Sequence, residues 1–169
     1  MPWYSEELRK GANEIRQGRH ERGFERLQKL YDDDRAGPDA VNLGESVLWY
    51  HGLAAAHLGR FETAIRDFAL LTGRAVAREA ERPEDAPPLV ANDYRFILAT
   101  MYFLGGRGDA ALQTFRRALE FDVGHYQAHM QIARIHESGE QWPEAIGAWE
   151  AAIAINPDDP TLEIDLGAS

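Results

Sequence analysis

Three imidazoles stand close together late in the chain. His125, His129 and His136 fall at i, i+4 and i+11, near one stripe of a helix, and such a stripe could offer nitrogen donors to zinc. A tetrahedral site wants a fourth donor, and the neighbouring residues supply none in register. Arg107-Gly108-Asp109 spells an adhesion tripeptide, but Gly105, Gly106 and Gly108 make this a permissive turn between two helices. The same glycines lack the lysine and the strand–loop–helix setting of a phosphate-binding loop. The acidic runs Glu6-Glu7, Asp32-Asp33-Asp34 and Asp158-Asp159 suit helix ends and solvated loops. No serine stands in a nucleophile elbow and no base is placed to activate one. The reading is of a protein that binds: not an enzyme, with no cofactor and no metal.

The bulk properties narrow what could be bound. The chain has 169 residues, 44% hydrophobic and 27% charged, which suits a folded domain or a short repeat array. No run approaches the roughly 18 apolar residues that span a bilayer. The start, Met1-Pro2-Trp3-Tyr4-Ser5-Glu6-Glu7, is acidic where a secretory leader is basic and then apolar, so a cytoplasmic location is expected. Cysteine is absent, which removes disulfide and thiolate chemistry. A formal net charge of −10 repels phosphate, so nucleic acid and membrane are set aside in favour of another protein.

The elements that must present such a surface are written as a repeat. Ala111, Phe115 and Ala118 recur 34 residues later as Ala145, Trp149 and Ala152. Small, aromatic, small at this spacing shares one helical face. A period near 34 with that face marks a helix–turn–helix repeat. Upstream, Ala64, Phe68 and Leu71 repeat it after Leu58-Gly59-Arg60-Phe61, and Gly23, Leu27 and Leu30 do so after Gln17-Gly18. The surplus residues fall at Asp34–Asp39 and Glu81–Pro88, where glycine and proline forbid a continuous helix. Each unit opens with its own helix, burying Leu48, Gly52 and Ala55, then Leu98, Ala99 and Tyr102, then Ile132, Ala133 and His136.

On these residues the chain resembles the tetratricopeptide repeat (TPR) proteins. The fourth unit fits best, with Ala133, a turn at Gly139 and Trp142, then Ala145, Trp149, Ala152 and Pro157. The third departs at Val123 in place of the closing proline, and the second at Leu71 in place of a small residue. In the first, Gly11, Gly18, Gly23 and Leu27 match, while Leu8, Ala12 and Ile15 suggest a shifted first helix. The resemblance implies an all-α fold, a right-handed α-solenoid of about four TPR units. It implies a single domain over 1–169 with units at about 4–37, 45–78, 92–125 and 126–159. The tail 160–169 reads as the start of another helix, capped by Asp159 with Pro160 in its first turn. His129 and His136 fall at packing positions of the family, which favours structural histidines over a metal site.

The resemblance also implies a ligand site, the concave groove lined by the first helices. Here that groove holds Trp49, Tyr50 and Leu53, then Asp93, Phe96, Ile97, Thr100 and Phe103, then Gln127, Met130, Gln131, Arg134 and Glu137. Leu8, Arg9, Ala12 and Arg16 extend it from the first unit. Part of this aromatic lining packs between neighbouring helices. Four rings left half-covered would still expose about 300–500 Å² of apolar surface, the upper end for a soluble monomer. Co-chaperones of the family grip a terminal carboxylate with lysine, asparagine and arginine. Those places hold Leu8, Ala12, Tyr50, Asp93 and Ile97, or Trp49, Leu53, Ile97, Gln127 and Gln131, and neither set is cationic. The expected ligand is an apolar or amphipathic segment of another protein. The alternative is self-association that buries the groove or the C-terminal end.

Overall fold

A computed structural model of the chain describes residues 2–32, 44–81 and 91–158. They form eight helices: α1 (Pro2–Arg16), α2 (His20–Asp32), α3 (Glu45–His57), α4 (Phe61–Ala80), α5 (Ala91–Leu104), α6 (Gly108–Leu119), α7 (Tyr126–Ser138) and α8 (Trp142–Ile155). The proline- and glycine-rich connections before α3 and α5, and the tail from Asp159, lie outside the described residues.

The turns joining the two helices of each pair are built alike. At Gly18, Gly59 and Gly106 the chain takes φ of 75°, 70° and 75°, a left-handed conformation that glycine adopts without a Cβ penalty. The next N–H then reaches back five residues, Arg19 to the Glu14 carbonyl at 2.9 Å, Arg60 to Ala55 at 2.8 Å and Arg107 to Tyr102 at 2.8 Å. This bond satisfies a carbonyl that the helix end would otherwise leave open. The fourth turn makes the same bond, Gln141 to His136 at 2.9 Å, yet its left-handed residue is Glu140 with φ of 57°. Gly139, the expected turn glycine, sits one place too early and serves as the C-cap of α7.

Twelve residues separate the small position of each first helix from that of its partner: Gly11 and Gly23, Gly52 and Ala64, Ala99 and Ala111, Ala133 and Ala145. All eight are buried. In the first pair the backbones come so close that a Cβ on Gly11 would stand 2.7 Å from Leu27 Cδ2, and one on Gly23 would stand 2.4 Å from Ile15 Cγ1. The first helix is therefore in register with the others. Its apolar Ala12 and Ile15 pack beside that contact and do not mark a shift.

The helices group into two compact units, Met1–Tyr94 and Arg95–Ser169. In the first, α1 packs on α2, α2 on α3 and α3 on α4, around Leu27, Leu30, Val47, Leu48, Phe68 and Leu71. Arg26 of α2 ties the surface of α1 by ion pairs to Glu7 at 2.7 Å and Glu14 at 3.2 Å. The hydrogen bond from Arg26 holds the Glu7 carboxyl below its usual range, against the opposing effect of burial. In the second unit one cluster joins Ala99, Ala111, Phe115, Ala128, Ile132 and Ile135, and another joins Met130, Ala133, Trp149 and Ala152.

Candidate binding faces

Helix α3 reads Glu-Ser-Val-Leu-Trp-Tyr-His-Gly-Leu-Ala-Ala-Ala-His, apolar around most of its circumference. Such a helix is expected to be covered on all sides. Val47, Leu48, His51, Gly52, Ala54 and Ala55 are indeed buried. Trp49, Tyr50 and Leu53 remain half-buried. Trp49 meets the edge of Phe68 at 5.7 Å and leans on Tyr94 at 6.0 Å, so part of its surface serves packing. Tyr50 carries the Arg16 guanidinium 5.1 Å over its ring, and Arg16 also donates to the Tyr50 hydroxyl. Arg16 of α1 thus sets a cation on an aromatic side chain of α3. Arg9 is exposed, Leu8 half-buried and Ala12 buried. Asp93 is exposed in the first turn of α5.

In the second unit, α5 and α7 carry the remaining predicted residues. Phe96 is half-buried, with its ring 5.5 Å from Phe115 and stacked on His125 at 4.7 Å. Ile97, Thr100 and Phe103 are half-buried as well. Phe103 leans on the Ala99–Phe115 cluster, and the Thr100 hydroxyl donates to the Phe96 carbonyl at 2.9 Å. Gln127 is exposed and Gln131 half-buried. Met130 is 9% exposed and packs into the cluster around Trp149, so it leaves little surface for a ligand. Arg134 is exposed, with its guanidinium 6.0 Å over the Trp149 ring, and Glu137 accepts the Trp149 indole N–H at 2.7 Å.

The three histidines do not converge. His125 caps α7, accepting from the Ala128 N–H at 3.3 Å. The His129 ring meets the Val123 carbonyl at 3.2 Å, and that of His136 meets the Gln141 side chain at 2.7 Å. Among the described residues no group of three or more His, Asp or Glu could hold a metal ion. Arg107-Gly108-Asp109 spans the entry to α6, where Arg107 is the N-cap.

One polar constellation escaped the sequence reading. His51 of α3 is fully buried, its Nδ1 2.6 Å from Asp67 Oδ2 on α4 and its Nε2 3.1 Å from Gln28 Oε1 on α2. The Tyr31 hydroxyl and the Arg66 guanidinium both donate to the other Asp67 oxygen, the latter at 3.3 Å. Burial, and then the Asp67 charge, push the Tyr31 hydroxyl far above its ordinary pKa. Phe24 stacks on the imidazole at 4.3 Å. A His–Asp pair invites a catalytic reading. Here both side chains are 0% exposed, so no substrate reaches them, and the pair joins three helices. Its sequence signal was faint: an acid beside Phe68 and an imidazole beside Gly52, each on a face otherwise apolar.

No protein-family model and no curated protein sequence matches the chain. Solved structures do. The MamA structure "MamA MSR-1 C2" superposes with a TM-score of 0.71 at 21% identity, covering 89% of this chain and 75% of that one. A second, "Crystal structure of MamA protein", gives 0.68 at 17% identity over 94% and 75%. The APC/C hetero-tetramer Cut9-Hcn1 gives 0.63 at 18% identity, covering 93% of this chain and 28% of that one. Among the described residues no helix is long and apolar enough to cross a membrane. The likeness is one of fold, and the fold is that of a TPR-type α-solenoid.

Proposed function

We propose that the protein is a protein-interaction module whose first helices bind an apolar or amphipathic segment of a partner. The observation that carries this reading is α3, apolar around most of its circumference yet half-uncovered at Trp49, Tyr50 and Leu53. In the second unit α5 repeats the pattern at Phe96, Ile97 and Phe103. A short amphipathic helix places apolar anchors at i, i+3, i+4 and i+7, which suits an aromatic lining better than a strongly charged peptide would. Arg16 on Tyr50 and Asp93 in the first unit, and Arg134 in the second, offer polar contacts beside these faces. Cut9 appears in a complex with Hcn1, which accords with binding as the use of such a fold.

Because Phe96 packs on Phe115, a charge there would disturb the interior as well as the face. Leu53→Glu and Ile97→Glu are the cleaner probes. Peptides selected from a random library against the wild type should carry apolar residues at helical spacing. They should lose at least about tenfold in affinity for either variant, about 1.4 kcal/mol, while the far-UV circular dichroism stays unchanged. Peptides that bind both variants as well as the wild type would refute the assignment of the face.

A further inference from the structure

Two helix-interior glycines have no packing partner among the described residues. Where the fold needs close approach it places glycine against a neighbour, as at Gly11, Gly23 and Gly52, where an added Cβ would meet side-chain atoms at 2.4–3.1 Å. Among the described residues, a Cβ on Gly73, midway along α4, or on Gly147, in α8, would meet nothing within 4 Å. Neither takes a left-handed backbone angle. An interior helical glycine is costly relative to alanine, so an unpacked one calls for a partner backbone brought close from outside.

The surfaces around the two glycines differ in charge and match in character. Gly73 lies in an open groove of about 550 Å³ lined by Arg66, Ala69, Leu70, Arg74 and Ala77. Its floor is almost wholly apolar, and the charged side chains among the described residues that line it are Arg66, which also donates to Asp67, and Arg74, about 12 Å apart along the helix. Gly147 has Glu144 three residues before it and Glu150 three after, both exposed, about 9 Å apart. Helix α8 holds no basic residue. Beside this face Ile146 is 43% exposed, a large apolar side chain that water covers poorly.

We propose that a second copy of this chain seats its α8 in the α4 groove of the first, crossing at Gly147 and Gly73. Charge complementarity selects this occupant. In a protein of net charge −10, a segment carrying carboxylates is repelled by most of the surface and drawn to an arginine-flanked groove. Absent side chains at the crossing let the helix axes approach at or below the usual 8–10 Å. Ile146 is then covered beside the crossing. The contact is heterologous, so each copy keeps one unused α4 and one unused α8, and association continues head to tail. A single helix crossing buries less than a standard interface, which places its dissociation constant at roughly 10–100 μM. This surface is distinct from the first-helix face and stands without it.

Sedimentation velocity over a series from roughly 1 to 500 μM, bracketing that range, tests the contact on the full chain. The wild-type mass should climb above 19.0 kDa with concentration. Gly73→Leu and Gly147→Leu, each set in open space and each helix-favouring, should stay folded and monomeric. Mixed together they should form a dimer and stop there, because one variant keeps α8 and the other keeps α4. Leu53→Glu should associate like the wild type, which separates this contact from failure of the first-helix face. A wild type that stays monomeric throughout would overturn the proposal. So would variants that associate unchanged, or a mixture that remains monomeric.

Discussion

The unit from Met1 to Tyr94 and the unit from Arg95 onward solve one packing problem with different chemistry. In the first, three helices are held by a buried imidazole and a buried carboxylate, with Tyr31, Gln28 and Arg66 completing the hydrogen bonds. In the second, the equivalent depth is filled by Phe115, Ala99 and Ile132, and by Trp149 against Ala133. Its polar bonds, Trp149 to Glu137 and His136 to Gln141, lie nearer the surface. Apolar packing is insensitive to small rotations of one helix on another, whereas the His51–Asp67–Tyr31 bonds accept few geometries. The polar interior therefore fixes the register of α2, α3 and α4 on one another.

The largest test of this contrast is Asp67→Ala. It strips acceptors from His51, Tyr31 and Arg66 at once and should cost about 3–5 kcal/mol, read as a lower urea midpoint. A loss below about 1 kcal/mol, the worth of one ordinary hydrogen bond, would show that the network contributes little. Next comes Gly52→Ala. The new Cβ would meet Asp67 Cβ and the Phe68 ring, each at 3.1 Å, and the overpacking should cost about 1–3 kcal/mol. Ala99→Gly in the second unit makes the reverse change, and its cost of about 1 kcal/mol should come mainly from helix propensity.

A pH dependence belongs to the first unit. His20 and His57 stack at 4.1 Å with their planes 11° apart, and His20 Nδ1 is buried with no hydrogen-bond partner among the described residues. Burial first, and His57 second, lower the His20 pKa below its ordinary 6.5. The unfolded chain therefore takes up the proton first as pH falls. The stability tied to the neutral ring is fully present above pH 6.5 and is lost as pH falls through the folded pKa. His20→Phe keeps a flat ring and removes the proton site, so its melting temperature should fall less than the wild type's between pH 7.5 and about 5.5. Parallel curves would remove His20 from the account.

The smallest expected effect is a gain. Glu140 holds at φ of 57° the conformation that glycine holds in the other three turns, so Glu140→Gly should stabilise by about 1 kcal/mol. A matching thermal shift would confirm that the fourth turn differs only by its residue.

Much of this architecture was legible beforehand because it depends on spacing. The face formed by Ala111, Phe115 and Ala118 and its echo at Ala145, Trp149 and Ala152 require only that helices have 3.6 residues per turn. The predicted binding residues were legible as positions on first helices. Their split into packed and uncovered was not, since Met130 and Trp49 hold the same place in the repeat, three residues before the small position, and differ in what stands beside them.

By itself the sequence determined an all-α repeat, its helix pairs and the small residues at which they touch, because local periodicity and backbone sterics are properties of short stretches. Only the tertiary structure decided that His51 would find Asp67 and Gln28, that the left-handed turn residue would be Glu140 and not Gly139, and that Gly73 and Gly147 would meet no neighbour among the described residues. Those outcomes depend on which atoms meet across helices and on the exact rotation at which a helix ends, and one-dimensional spacing carries neither.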